Sequence, residues 1–137
     1  MGRKKARDNA FKCIYQLEFL DKNNLDLDEI LKFCFEENSN LPDEQSYIGQ
    51  ALHGVVDNLE RIDEVILLHL KNWSISRIAK IDLAILRLAI FELKFDDKAT
   101  PPKVVANEAV ELAKMYGNND SKSFVNGLIA KVIEDNK

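Results

Sequence analysis

The chain has 137 residues, 46 % of them hydrophobic and 31 % charged, with five glycines, three prolines and a formal charge of −4. Such values exclude a disordered or collagen-like chain and fit one soluble globular domain that buries about 70 % of its unfolded surface. Residues 1–20 carry five cations (Arg3, Lys4, Lys5, Arg7, Lys12) against Asp8 and Glu18, a net of +3, so the other 117 residues hold −7: a basic arm on an acidic body, which argues against a wholesale nucleic-acid coat.

Apolar residues recur at helical spacing almost throughout, and the two-residue alternation of half-buried strands is missing, so the reading is all-α. A first helix over about Lys4 to Leu20 aligns Ala10, Cys13, Ile14, Leu17 and Leu20, and the polar cluster Asp21 to Asn24 ends it. Asp26 followed by Glu29 has the form of a capping box, with Leu27, Ile30, Leu31 and Cys34 as the inward face of a short second helix. After the break at Asn38 to Pro42, a third helix from about Asp43 carries Ile48, Leu52, Val55 and Leu59. A fourth, from near Ile62, continues the period through Ile66, Leu70 and Trp73. Ser74 and Ser76 are candidate caps for the longest helix, which has apolar stripes on both sides (Ile78, Ile81, Ile85, Leu88 and Leu83, Leu86, Ile90, Leu93) and is therefore expected to be central and buried. Thr100, Pro101 and Pro102 open a sixth helix with Val105, Ala109, Leu112 and Tyr116 aligned. Gly117 ends it, Asp120 or Ser121 caps the next, and Phe124, Leu128 and Val132 define a last helix to about Asp135. The expectation is a compact bundle of about seven helices forming one domain over residues 1–137.

Catalytic chemistry finds little to stand on. Asp82 and Glu92 are the candidate carboxylate pair, but ten residues of helix set them roughly 15 Å apart, beyond the ~5–9.5 Å that paired carboxylates use in glycoside chemistry. They read as edge-of-core groups, held by neighbouring cations or facing a partner. His53 and His69 lie on separate elements without a carboxylate at metal-binding spacing, so no metal is expected. The glycines never form a phosphate-cradling loop, and Ser121 and Ser123 read as helix-capping residues. Cys13 and Cys34 sit among apolar residues without paired spacing, which points to buried packing in a reducing compartment. With no apolar run long enough for an export signal or a membrane span, the expected location is the cytoplasm.

Two features rise above this background. Arg3, Lys4, Lys5 and Arg7 put four cations in five positions at the start of a helix, able to follow a phosphate backbone or simply to solvate a frayed end. The stretch from Asn118 to Phe124 runs a polar loop into a helix N-terminus, with Lys122 and Phe124 placed to add charge and stacking, or merely to cap and fill the core.

Three longer stretches, IDLAILRLAIFEL (81–93), PPKVVANEAVELAKMYG (101–117) and DSKSFVNGLIAKV (120–132), together with the opening RKKARDNAFKCIYQLEF (3–19), resemble the signature segments of the NusB family of bacterial transcription antitermination factors, in the family's order and over nearly the whole chain. The resemblance implies an all-helical fold of two packed subdomains, no enzymatic activity and no cofactor. It further implies pairing with the small-subunit ribosomal protein NusE, binding of the boxA element of nascent rRNA leaders, and action in the RNA polymerase antitermination complex to promote processive rRNA transcription. Matched residue by residue, the RNA-binding positions are Arg3, Lys4, Lys5 and Arg7 in the arm and Asp120, Ser121, Lys122 and Phe124 beyond the sixth helix, with Tyr15 and Asp82 facing NusE. Two of the arm's cations are lysines, which keep the point charge without the bidentate fork of arginine, and Ser123 stands where some relatives carry a lysine. The resemblance leaves both a monomer and a homodimer open. A helical protein–protein adaptor with a merely solubilising arm is the alternative. A rRNA methyltransferase, to some of which NusB-like domains are fused, is disfavoured because this sequence has no cofactor-binding loop.

Overall fold

The computed structural model describes residues 3–21, 23–96 and 100–135, and the regular structure among them is entirely helical. Seven α-helices follow in order: α1 (Arg3–Gln16), α2 (Leu27–Asn38), α3 (Pro42–Asp57), α4 (Leu59–Leu68), α5 (Lys80–Ile90), α6 (Pro102–Tyr116) and α7 (Ser121–Asp135). The all-α expectation and the helix count both hold.

Helix α5 is the axis of the molecule because its sequence is apolar on every side: all residues from Asp82 to Ile90 are buried. Helices α1, α4, α6 and α7 pack around it, while α2 and α3 close over α1. One core runs through all seven helices, from Ile14 and Ile30 through Leu52, Ile66 and Leu86 to Val105 and Ile129. The chain leaves α5 through a π-helical turn, Phe91–Phe95, whose Phe91 ring lies against α3 at Gly54. A Cβ on Gly54 would lie 2.0 Å from that ring, so only glycine allows α3 so close.

Two arginines in the apolar interior are neutralised in place. Arg87 of α5 donates through Nε and Nη2 to Asp63 of α4 at 3.0 and 2.9 Å, and through Nη1 to Glu18. Arg7 of α1 donates through Nε and Nη2 to Glu92 at 3.1 and 2.7 Å. These forked pairs fix α1 and α4 to the central element, and the geometry suits the planar guanidinium.

Several boundaries differ from the sequence expectation. The first helix tightens to a 3₁₀ turn at Leu17–Phe19, which rotates Leu20 off the inward stripe to 43 % exposure. The fourth helix starts at Leu59 and stops at Leu68, so Trp73 lies in the following loop rather than on the helix; Asn72, in the left-handed region at φ 59°, turns the chain there. Ser74 and Ser76 bond each other at 3.1 Å, followed by a 3₁₀ turn at Ile75–Arg77, and no side chain caps α5. Asp26 does cap α2, its carboxylate accepting from the Glu29 N–H at 3.1 Å. Cys13 and Cys34, separated by 21 positions, are both buried free thiols of the core.

Candidate nucleic-acid and protein interface

The arm is helical from Arg3, and its amphipathic register divides its cations. Lys4 and Lys5 face solvent; the Arg3 side chain lies outside the described residues. Arg7 departs from the expectation of an RNA-contacting cation. It is 4 % exposed, both ends of its fork are taken by Glu92, and the Tyr47 ring lies 5.7 Å away. Burial works against its charge, but the hydrogen bonds it donates to Glu92 and the surrounding negative potential outweigh it and hold the guanidinium above its ordinary pKa. The reason is register: Ala6, Arg7 and Ala10 share the inward face of α1, while Lys4, Lys5, Asp8 and Lys12 lie at or towards the surface. Lys5 is not wholly free, its Nζ lying 3.7 Å from Glu44, whose carboxylate also accepts from the Leu41 N–H at 2.9 Å and starts α3.

Farther along α1 the two expected partner-facing residues do come together. Tyr15 and Asp82 line one open groove of about 430 Å³ between α1, the start of α5 and the α6–α7 loop, with Lys80, Tyr116, Asn118 and Ser121 on its other walls. Further rings pack on its aromatic lining residues: Phe11 stacks on Tyr116 at 5.1 Å, Tyr15 meets Phe19 edge-on at 5.1 Å, and the Lys80 ammonium sits 4.7 Å above Phe19, itself 58 % exposed. The Tyr116 hydroxyl donates to Asp8 at 2.6 Å, and burial followed by that bond pushes the phenol above its ordinary pKa. Asp82 is 6 % exposed, yet its Oδ1 has no hydrogen-bond partner among the described residues. A carboxylate oxygen withdrawn from water without a donor is costly.

The second expected RNA-contacting segment adjoins this groove. Ser121 is buried at the groove wall, whereas Asp120 and Lys122 are exposed and Phe124 is half-buried. Asp120 stands at the N-cap position of α7, and Asn118 reinforces the start: its side chain accepts from the Asp120 and Ser121 N–H groups at 2.8 and 3.1 Å, and the Ser121 hydroxyl accepts from the Asn118 N–H at 3.0 Å. Asp120 contributes its backbone carbonyl to Phe124. This two-way lock fixes the loop, freeing the Lys122 and Asp120 side chains. Of the arm's exposed lysines, Lys12 lies over the Tyr116 ring at 5.6 Å, just before this loop, and Lys4 is farther off. Lys4 is eleven residues, roughly 16 Å of helix, from Tyr15 at the groove.

The stretch 71–81 holds Lys71, Arg77 and Lys80 and no carboxylate, a charge signal visible in the sequence beside the denser arm. Among the described residues no three or more His, Cys, Asp or Glu side chains are grouped to hold a metal, and no helix is long and apolar enough to cross a membrane. His69 instead bonds the Val65 carbonyl at 2.9 Å and Asp135 of α7.

An all-helical chain with an orphaned carboxylate oxygen in a groove at one end of α1 and cations at the other invites comparison with known proteins, and the family model described as NusB matches residues 4–134. The chain belongs to the NusB family. It is 42 % identical to the transcription antitermination protein NusB of Agathobacter rectalis, over 96 % of this chain and 98 % of that protein. It is also 42 % identical to that of Staphylococcus carnosus, over 96 % and 99 %. Among solved structures, T. maritima NusB superposes with a TM-score of 0.85 at 32 % identity, covering 98 % of this chain and 92 % of that one. A crystal structure of antitermination factors NusB and NusE in complex with dsRNA also matches with a TM-score of 0.85, at 30 % identity over 97 % and 96 % of the two chains. The NusB-family chain described here is thus a transcription antitermination factor.

Proposed function

We propose that the protein acts in antitermination by pairing with the ribosomal protein NusE through the Tyr15–Asp82 groove and binding the boxA element of nascent rRNA, as part of the RNA polymerase antitermination complex. The observation that carries the pairing is Asp82, a buried carboxylate oxygen without a donor at the wall of an aromatic groove. A basic protein partner would supply the missing donor and cover Phe19 and Tyr15 together. That a related NusB is seen with NusE and RNA supports the same reading. For RNA, the contacts we assign are Lys4 and Lys5 in the arm, with Arg3 as a further cation, and Lys122, Phe124 and the polar Asp120–Ser121 turn. Arg7 is left out because its guanidinium is engaged with Glu92. Lysine ammonium groups act on phosphates as point charges, so the arm supplies affinity and salt dependence while bases are distinguished elsewhere.

The test is to measure binding to a single-stranded boxA-like RNA and to a scrambled RNA of equal length across a salt series, with and without NusE. Tighter binding to boxA, enhanced by NusE, is expected. Equal, weak and salt-sensitive binding to both RNAs, indifferent to NusE, would leave a protein–protein adaptor with a nonspecific tail.

A further inference from the structure

Beyond the arm and the 120–124 segment, the α4–α5 loop carries an aromatic surface that neither the family resemblance nor the comparisons account for. The Trp73 indole is 44 % exposed and stacks on Phe124 with ring centroids 6.2 Å apart and planes inclined by 28°. The Arg77 guanidinium carbon lies 5.7 Å from the same indole. Placing Trp73 there takes the left-handed turn at Asn72, which carries the loop across to α7 instead of continuing α4.

Charge says what such a surface suits. In a chain of net charge −4, residues 71–81 hold three cations (Lys71, Arg77, Lys80) and no acid, and residues 121–133 hold Lys122 and Lys131 and no acid. Asp82, Asp120 and Glu134 are the acids that adjoin them in sequence. An exposed apolar ring in a basic frame fits a ligand that is aromatic and anionic together, which is the chemistry of an unpaired nucleotide: a base with a π-face and a phosphate beside it. A protein partner with an acidic aromatic-binding segment would need the same charge, but the patch is continuous through Phe124 with the surface already assigned to RNA.

We propose that Trp73, backed by Phe124 and flanked by Arg77 and Lys122, is a base-stacking platform that takes one unpaired nucleobase of the bound RNA and its phosphate. The proposal rests on the RNA-binding reading above and extends its surface to the α4–α5 loop. Base-on-aromatic stacking is sequence-tolerant and worth about 1–3 kcal/mol per base, so loss of the ring converts to an affinity loss of about 5- to 150-fold.

Trp73 is the chain's single tryptophan, so its fluorescence reports on this site alone. The experiment titrates the full chain with a short end-labelled single-stranded boxA-like RNA, following labelled-RNA anisotropy for the wild type, Trp73→Ala and Trp73→Phe, and tryptophan emission alongside it for the wild type. Circular dichroism establishes that the variants keep the fold. Quenching of Trp73 in step with the anisotropy, a loss in Trp73→Ala within the range above and most of the affinity kept by Trp73→Phe are expected. RNA bound by anisotropy with unchanged tryptophan emission and a Trp73→Ala affinity equal to wild type would overturn the platform and leave the RNA-binding reading standing. Emission that responds to NusE but not to RNA would assign the patch to protein docking and overturn the platform too. An absence of RNA binding by anisotropy, with or without NusE, would overturn the RNA-binding reading and the platform with it.

Discussion

Arg7 carries the same charge as Lys4 and Lys5 and has a different role. One helical turn separates a cation that can reach a phosphate from one that holds α1 to the π-helical turn after α5. Removing one member of a buried ion pair strands the other, a loss typically of about 3–5 kcal/mol. Arg7→Ala is accordingly expected to lower the denaturant midpoint markedly, whereas Lys4→Ala leaves it within about 0.5 kcal/mol of wild type; equal midpoints for the two variants would contradict the burial. Glu44 gives a residue-scale prediction with a pH sign. The Leu41 N–H bond, aided by Asn40 and Lys5 and opposed by burial, holds its carboxyl below the usual glutamate range. A depressed pKa in the folded state means that its contribution is complete above the unfolded value, near pH 4.3, and is lost as the pH falls through the folded value. Urea unfolding of wild type and Glu44→Gln should therefore differ most at neutral pH and converge in acid, and a gap that widened on acidification would reverse the assignment.

At the scale of elements, the helical period made α5 legible, since two apolar stripes on one helix leave no solvent face, and it located α2, α6 and α7 through Asp26, the Pro101–Pro102 step and Gly117. It failed where a loop is held by tertiary contacts. Trp73 extends the 3.6-residue period of α4, yet stacking on a residue 51 positions away, Phe124, takes it off the helix. The reinforcement of the α7 start by Asn118 escaped because serine in the first turn is a credible cap on its own. Of the candidate site, Tyr15, Asp82, Lys122 and Phe124 were picked out by long family segments as positions to examine; the burial of Arg7 was not legible, because a run of cations carries no sign of which one meets a buried glutamate 85 positions on. The arm's remaining function is testable as an element. With Lys4 and Lys5 both replaced by alanine, the slope of log affinity against log salt for single-stranded RNA should flatten by about 0.7 for each phosphate left without its cation, with the RNA preference unchanged. An unaltered slope would remove the arm from RNA binding.

For the molecule as a whole, the uneven charge has a mechanical use. On the proposed reading, the −7 outside the first 20 residues would draw in a basic protein while the arm and the 71–81 and 121–133 segments would draw in RNA, the two ligands meeting adjoining surfaces of one small body. Long-range attraction sets the rate of approach, and the groove sets how long the protein partner stays. Asp82 separates the two effects because it is one charge among many in the distant field but a single unmet acceptor in the groove. Asp82→Asn removes the charge behind an unpartnered buried oxygen, so the isolated protein should unfold no more easily than wild type. The complex should lose the charge-assisted bond, worth about 1.5–3 kcal/mol, or roughly 10- to 150-fold in NusE affinity. That loss should fall mainly on the dissociation rate, with association and its salt dependence little changed. Kinetic binding measurements on NusE at several salt concentrations, paired with thermal unfolding of the free variant, decide the matter. A destabilised variant that binds NusE with wild-type affinity would make Asp82 a structural residue and leave the groove without its anchor.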